Sequence, residues 1–303
     1  MTETSFIEAL RAIATHDAAR GLIDDAAVLE IGGTRLVLTH DMIVEHVHFL
    51  PGDPPADVAW KLVAVNLSDL AAKGATPVGV LMGYGLTGDE GWDAAFLDGL
   101  KAVLAEFKVP LLGGDTVRLP AQSPRTFGLT ALALAPTGGA PSRSDARAGD
   151  ALYVTGTIGN AGRGLALLQA GQAQPEDAIA AYRRPIPLLA EGRALAPFVH
   201  AMMDVSDGLL IDAARMAGAS GLALSIDLNA VPLPDSMTDN NRATRIAAAT
   251  AGDDYQLLFA APADATLPVP ATRIGSFAAG SGLTLFDKDG PVPLPARLGY
   301  LHA

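Results

Sequence analysis

The stretch PPADVAWKLVAVNLSDLAAKGATPVGVLMGY, residues 54–84, decides how the rest of the chain is read. Pro54 and Pro55 open it, and Val58, Leu62 and Val65 follow at helical spacing among polar positions. The pattern predicts a helix from Ala56 that stops near Gly74, with Pro77 just beyond. Val78–Tyr84 then reads as a strand. Asn66, Asp69 and Lys73 lie at i, i+3 and i+7, hence on one helix face. That face either holds a metal or its waters, or is an exposed polar stripe with an Asp–Lys pair.

Strands and helices alternate outward from this unit. Thr34–Thr39 is β-rich and leads into Asp41, and Ile43–Phe49 continues as a strand. Trp92–Phe107 reads as an amphipathic helix, Pro110–Leu112 as a short buried strand reaching Gly113, and Phe127–Ala135 as another strand. The Pro-, Gly- and Ser-rich run Pro136–Asp150 is the expected boundary between segments 1–138 and 149–303. Beyond it come strand Ala151–Thr155, helix Ala161–Gln169, a helix over Leu188–Ala201 and another from Asp207. Strands follow at Leu222–Leu228, Tyr255–Ala260 and Thr272–Gly275. The class is α/β or α+β, in two domains.

Composition narrows the function. A chain of 303 residues, half of them apolar, can bury substantial cores. A net charge of −12 argues against a general nucleic-acid or anionic-membrane surface. No apolar run reaches the ~20 residues of a spanning helix, and Met1–Arg11 lacks a signal pattern, so a cytoplasmic protein is expected. There is no cysteine, hence no thiol nucleophile, disulfide or thiolate metal site.

Five acidic motifs stand where elements should end: Asp24-Asp25, Thr39-His40-Asp41, Asn66–Asp69, Gly113–Thr116 and Asp204–Gly208. Each has a local explanation as a cap or a turn. Converging, they would repel one another unless cations sat between them, and hard oxygens at element ends suit Mg2+. Paired glycines before Asp115 allow close approach of a phosphate, and Asp204 with Asp207 could chelate metal at a helix start. The run Gly156–Gly162 has G-x-x-G-x-x-G spacing and no ribose acid, which counts against a dinucleotide loop. His40, His46 and His48 could form a zinc site if His46 and His48 share a strand face, but this leaves four acidic motifs without a role.

Taken in order, these strings resemble the thiamine-monophosphate kinases, in the group of ATP-using enzymes that includes aminoimidazole ribonucleotide synthetase. The resemblance is carried by DDAAVL at Asp24–Leu29, THDMIVEHVHF at Thr39–Phe49, KLVAVNLSDLAAKGATP at Lys61–Pro77 and GGDT at Gly113–Thr116. SRSDARAGDALYVTGTIG at Ser142–Gly159, DVSDGL at Asp204–Leu209 and GDDYQLLF at Gly252–Phe259 complete it. The resemblance implies a homodimer in which N-terminal mixed-sheet domains build a shared β-barrel and bind ATP and Mg2+, with an α/β C-terminal domain in each subunit. It implies transfer of the γ-phosphoryl of ATP to thiamine monophosphate. By position it makes Asp25, Thr39, His40, Asp41, Asp69, Asp115, Asp204 and Asp207 metal ligands. Gly114, Asp115, Arg143 and Ser206 would face ATP, and His48, Asp253 and Arg297 the thiamine phosphate. No catalytic base is implied, since the acceptor is already an anion.

The chain departs from that pattern in places. Ile23 stands where Gly usually precedes the paired acids, His40 replaces a common Thr, and His46 a Gly or Asn. Asp253 is shorter than the usual Glu, and Arg297 falls where an aromatic usually covers the thiamine. A sister enzyme with another phosphorylated acceptor, a metal-dependent phosphohydrolase and a non-catalytic nucleotide-binding regulator remain the alternatives.

Overall fold

Each half of the chain builds its own mixed sheet, giving a two-domain α/β fold in the computed structural model, which describes residues 2–301. The outermost positions of the two expected segments, Met1, His302 and Ala303, lie outside the described residues. Helix α1 (Glu3–Arg11) and a 3-10 turn (Asp17–Leu22) lead into a hairpin of β1 (Ala27–Ile31) and β2 (Thr34–Val44). Then come α2 (Pro55–Ala72), β3 (Thr76–Leu86), α3 (Glu90–Phe107), β4 (Leu111–Arg118) and β5 (Thr126–Leu134). The sheet order is β1-β2-β5-β3-β4, antiparallel except for the parallel pair β3–β4.

The second half adds β6 (Asp150–Val154), α4 (Asn160–Gln169), α5 (Glu176–Arg183), α6 (Leu189–Leu195), β7 (Ala201–Asp204) and α7 (Leu209–Ser220). It ends with β8 (Leu222–Asp227), α8 (Arg242–Thr250), β9 (Leu257–Pro262), β10 (Thr272–Ala279), β11 (Gly282–Asp287) and β12 (Gly290–Val292). These strands form a seven-stranded sheet in the order β12-β11-β8-β10-β6-β9-β7.

Helix α2 joins the two halves. It starts at Pro55, the position where a missing N–H costs nothing. It packs on α3, β2 and β5 of the first half and on α6 and β7 of the second. It is therefore buried almost all round, including Lys61, Asn66, Ser68 and Lys73. The exposed-stripe reading of Asn66 and Lys73 is thus overturned: the far side of the helix meets the second half of the chain. Gly74 ends the helix at a left-handed φ of 59°. Gly192 of α6 comes so close that a Cβ would stand 2.0 Å from the Ala71 carbonyl oxygen. Ala71 and Ala72 share a small core with Tyr153, Leu195, Met202, Leu257 and Phe259, which ties the two halves together.

Three sequence expectations are corrected. Strand β2 stops at Val44, where the chain turns back through His46 at φ 71° instead of running on to Phe49. The Val44 N–H donates to His48 Nδ1 at 3.0 Å, which fixes that turn and removes the strand face His46 and His48 were to share. The helix expected over Leu188–Ala201 ends at Leu195 because Pro197 cannot continue it, and Ala201 already belongs to β7. Strand β4 is neither short nor buried: it runs through Gly113–Thr116 to Arg118 as an exposed sheet edge. Gly114 makes this pairing sterically feasible, since a Cβ there would lie 1.9 Å from the Met82 carbonyl oxygen.

One face of the first sheet is covered by α2 and α3. By strand register the other presents His40, Met42, Leu81, Asp115, Val117 and Leu134. Met42, Leu81, Val117 and Leu134 are all exposed there.

Candidate metal and phosphate site

Three chain segments deliver carboxylates to one place beside α2. Asp25 precedes β1, Asp69 projects from α2, and Asp204 ends β7, each offering an oxygen within 4.8 Å of the others. The Thr39 hydroxyl sits among them, 3.2 Å from the Asp25 carbonyl and bonded to the Asp69 carboxylate. Asn66 accepts the Asp41 N–H at 3.0 Å and so holds the end of β2 against the helix. Ser68 donates to Asp204 at 2.5 Å.

The electrostatics record the crowding. Burial lifts the Asp41 carboxyl to about 6; His40 opposes, while Asp25 and Asp207 push further upward. Burial and then the charges of Asp41, Asp204 and Asp25 drive Asp69 well above the usual carboxylate range. Asp204 is pushed up to about 8 by burial and Asp25, against the Ser68 hydroxyl. Such a group can be fully ionised at neutral pH only with cations beside it.

The residues fit a hard divalent cation. Asp25 Oδ2 is buried with no directed hydrogen bond, although the Lys73 ammonium lies 2.7 Å away in simple charge contact. The donors are all carboxylate, hydroxyl and carbonyl oxygens, the set Mg2+ takes. The three histidines do not gather: His40 turns to the open sheet face and pairs with Thr130 at 2.8 Å, and His46 is exposed.

Around this core stand the flanking groups. Arg143 grips Asp25, and Asp207 is paired with Arg215 at 2.5 Å. The N–H groups of Ser206 and Asp207 both donate to Asp212, at 3.1 and 3.0 Å, so this buried acid shapes the Asp204–Gly208 loop. Gly114 and Asp115 are on the exposed edge strand β4, and Asp115 is not brought together with Asp25, Asp69 and Asp204.

A second polar group lies at the other end of α2. Lys61, 2% exposed, donates to Asp253 at 2.7 Å and to the His48 carbonyl at 2.9 Å, and stands 4.0 Å from the Tyr182 ring centroid. Tyr255 donates to the other Asp253 oxygen at 3.1 Å. His48 and Asp253 are therefore joined through one buried lysine. Arg297 is exposed in the coil after β12.

The glycine-rich turn before α4 receives its anion from within the chain. Asp254 accepts the Gly159 N–H at 2.9 Å, and the N–H groups of Ala161 and Asn160, while burial raises it to about 8. A helix start capped in this way has no room for a dinucleotide phosphate.

Spacing singled out neither Lys61 nor Asp212, and it set Lys73 on the face of Asn66 and Asp69 only as the partner of Asp69. Isolation was the available signal for Lys61, a lone lysine in an apolar helical run.

Residues 23–135 match the N-terminal domain of AIR synthase related proteins, and residues 147–288 match their C-terminal domain. The thiamine-monophosphate kinase of Salmonella typhimurium is 39% identical over 306 residues, covering 94% of this chain and 92% of that protein. That of Escherichia coli K12 is 38% identical over 307 residues, with the same coverage, 94% and 92%. The structure of AaThiL complexed with AMPPCP and TMP superposes with a TM-score of 0.87 at 27% identity, covering 99% of this chain and 97% of that one.

Proposed function

The chain belongs to the AIR synthase related family and, within it, to the thiamine-monophosphate kinases, and on that premise we propose the following reaction and division of labour. It transfers the γ-phosphoryl of ATP to the phosphate of thiamine monophosphate, giving thiamine diphosphate and ADP. The observation that carries this reading is the convergence of Asp25, Asp69 and Asp204 on one place.

Two polyanions must be brought together, and phosphoryl transfer needs in-line placement and charge neutralisation more than covalent help. Asp25, Asp41, Asp69, Asp204 and Asp207, with Thr39 and the His40 backbone carbonyl, would hold Mg2+. The ions would neutralise phosphate oxygens without a lysine-bearing loop. Gly114, Asp115, Arg143 and Ser206 are assigned to ATP, and His48 and Asp253 to the acceptor. Lys61 and Asp69 both stand on α2, which sets the acceptor residues at a fixed distance from the carboxylates. No side chain is assigned as a general base.

Two coarser features extend the same reading. Residues 1–138 form the ATP-binding and dimerisation unit and 149–303 the α/β unit. The apolar open face of the first sheet supports a homodimer in which two such faces close a barrel. Among the described residues no helix is long and apolar enough to cross a membrane, and the absence of cysteine accords with a cytoplasmic enzyme.

One assay tests the function. Purified protein is incubated with ATP, Mg2+ and thiamine monophosphate, and products are separated by chromatography. Thiamine diphosphate with stoichiometric ADP is expected. Free phosphate without the diphosphate would mean a phosphohydrolase, and no ATP consumption would sink both readings.

A further inference from the structure

Lys73 is a fully buried lysine whose place in the molecule is unusual. Its neighbour by helical spacing is Asp69, yet its ammonium turns to Asp24 and, at 2.7 Å, to Asp25, on the segment before β1. It also donates to the Met202 carbonyl at 3.1 Å, two residues before Asp204 on β7. One side chain thus touches the segment bearing Asp25 and the strand bearing Asp204, and itself follows Asp69 on α2 by one turn. The Asp25 oxygen it faces is the one without a directed hydrogen bond.

We propose that Lys73 is a built-in counter-ion of the carboxylate site, holding Asp25 beside Asp69 and Asp204 by charge and competing there with a divalent cation. This rests on the metal-site reading above. The ammonium is bound to the pocket by a helix and cannot leave, so it opposes the entering cation while it supports the metal-free fold. A charge contact without hydrogen-bond direction is what a placeholder needs, because Asp25 Oδ2 can then pass to a metal while Arg143 keeps its hydrogen bond to Oδ1. Asp24, also held by Arg20 at 2.6 Å, keeps the lysine compensated when Asp25 is engaged elsewhere.

Replacing Lys73 by methionine keeps most of the volume and removes the charge. Two consequences are expected together in the full-length protein. Lys73→Met melts at a lower temperature than wild type in chelator, and saturating Mg2+ restores most of the loss, since a ligand that binds only the folded state stabilises it. Mg2+ alone, titrated by calorimetry, binds at least ~10-fold more tightly to the variant, because a positive charge within a few ångströms has gone. Asp24→Asn provides the opposite arm and does not require the buried lysine to be replaced. It leaves Lys73 undercompensated, so Mg2+ should bind more weakly than in wild type. An equal melting loss with and without Mg2+, or an affinity unchanged or shifted the wrong way in either variant, overturns the proposal. If wild type takes up no Mg2+ under any of these conditions, the metal-site reading falls, and the role of Lys73 falls with it.

Discussion

The two ends of α2 treat charge in opposite ways. Near Asp69 the carboxylates of Asp25, Asp69 and Asp204 crowd together, and burial and mutual repulsion raise the pKa of Asp69 and Asp204. Near Lys61 the Asp253 carboxylate has both oxygens satisfied, by the lysine and by Tyr255. The first region has more carboxylate than its own lysine and arginine offset; the second is balanced within the chain. Removing a carboxylate should therefore relieve one region and injure the other.

The largest effect is expected from Asp69→Asn. Loss of a buried ligand should lower Mg2+-dependent formation of thiamine diphosphate by at least ~100-fold, in line with the cost of disturbing metal shells. The same variant should melt higher than wild type in chelator, because a repelling charge has gone from a desolvated cluster. Retained turnover, or a lower metal-free melting temperature, would break the contrast between the two regions.

Acidity gives the next test. Folding raises the carboxyls of Asp41 to about 6 and Asp204 to about 8 from an ordinary value of 3.8, so the folded state binds more protons across that window. Stability from these groups is present below their unfolded pKa and is lost as pH rises from about 4 to about 8. Asp24 runs the other way: burial lifts it, but Lys73 and Arg20 hold it down at about 2, so its contribution is lost only below pH 4. Metal-free protein should melt progressively lower as pH rises between 4 and 8, and Mg2+ should flatten that fall. A metal-free melting curve that is level over this range would show that the carboxylates are not the uncompensated set described above.

Lys61→Met probes the complete region. It leaves Asp253 without its cation, and breaking a buried pair costs several kcal/mol. Since the Asp253 side chain is 28% exposed, a loss of about 2 kcal/mol is expected in denaturant unfolding. The KM for thiamine monophosphate should rise while Mg2+ affinity stays at the wild-type level. A change in Mg2+ affinity would show that the two regions are one electrostatic unit.

How much of this could be read in the chain depends on whether the signal is local. Helix α2 was legible because Pro55, a helical apolar period and Gly74 all act within a few residues of one another. Strand β4 was not: an open edge with paired glycines carries no inward–outward alternation, so the glycines read as a turn. The run after Ile43 has strand composition, but His48 bonding back to Val44 folds it over, and no propensity encodes that contact. In the site, acidic motifs flanked by Ser, Thr, Asn and Gly indicated where carboxylates would meet. Their counter-charges were hidden because Lys73 passes over the Asp69 one turn away for Asp25, and Arg143 reaches Asp25 from the other half of the chain. Helical spacing can nominate only the partner one turn away.

The smallest expected effect concerns the cover over the acceptor. Arg297 is exposed and, among the described residues, in no ion pair, and the family resemblance makes it the residue facing the acceptor. Arg297→Trp should leave stability within about 0.5 kcal/mol, as surface changes do, and should not alter Mg2+ or ATP dependence. An aromatic plane against the thiazolium of the acceptor would add attraction of the cation–π kind, about 1 kcal/mol, hence a several-fold fall in the KM for thiamine monophosphate. A matching fall in the KM for ATP would instead place residue 297 beside the nucleotide and would move the acceptor away from the Lys61–Asp253 group. An unchanged KM for both would mean that the coil after β12 does not close over the site, leaving selection of the acceptor to His48 and Asp253.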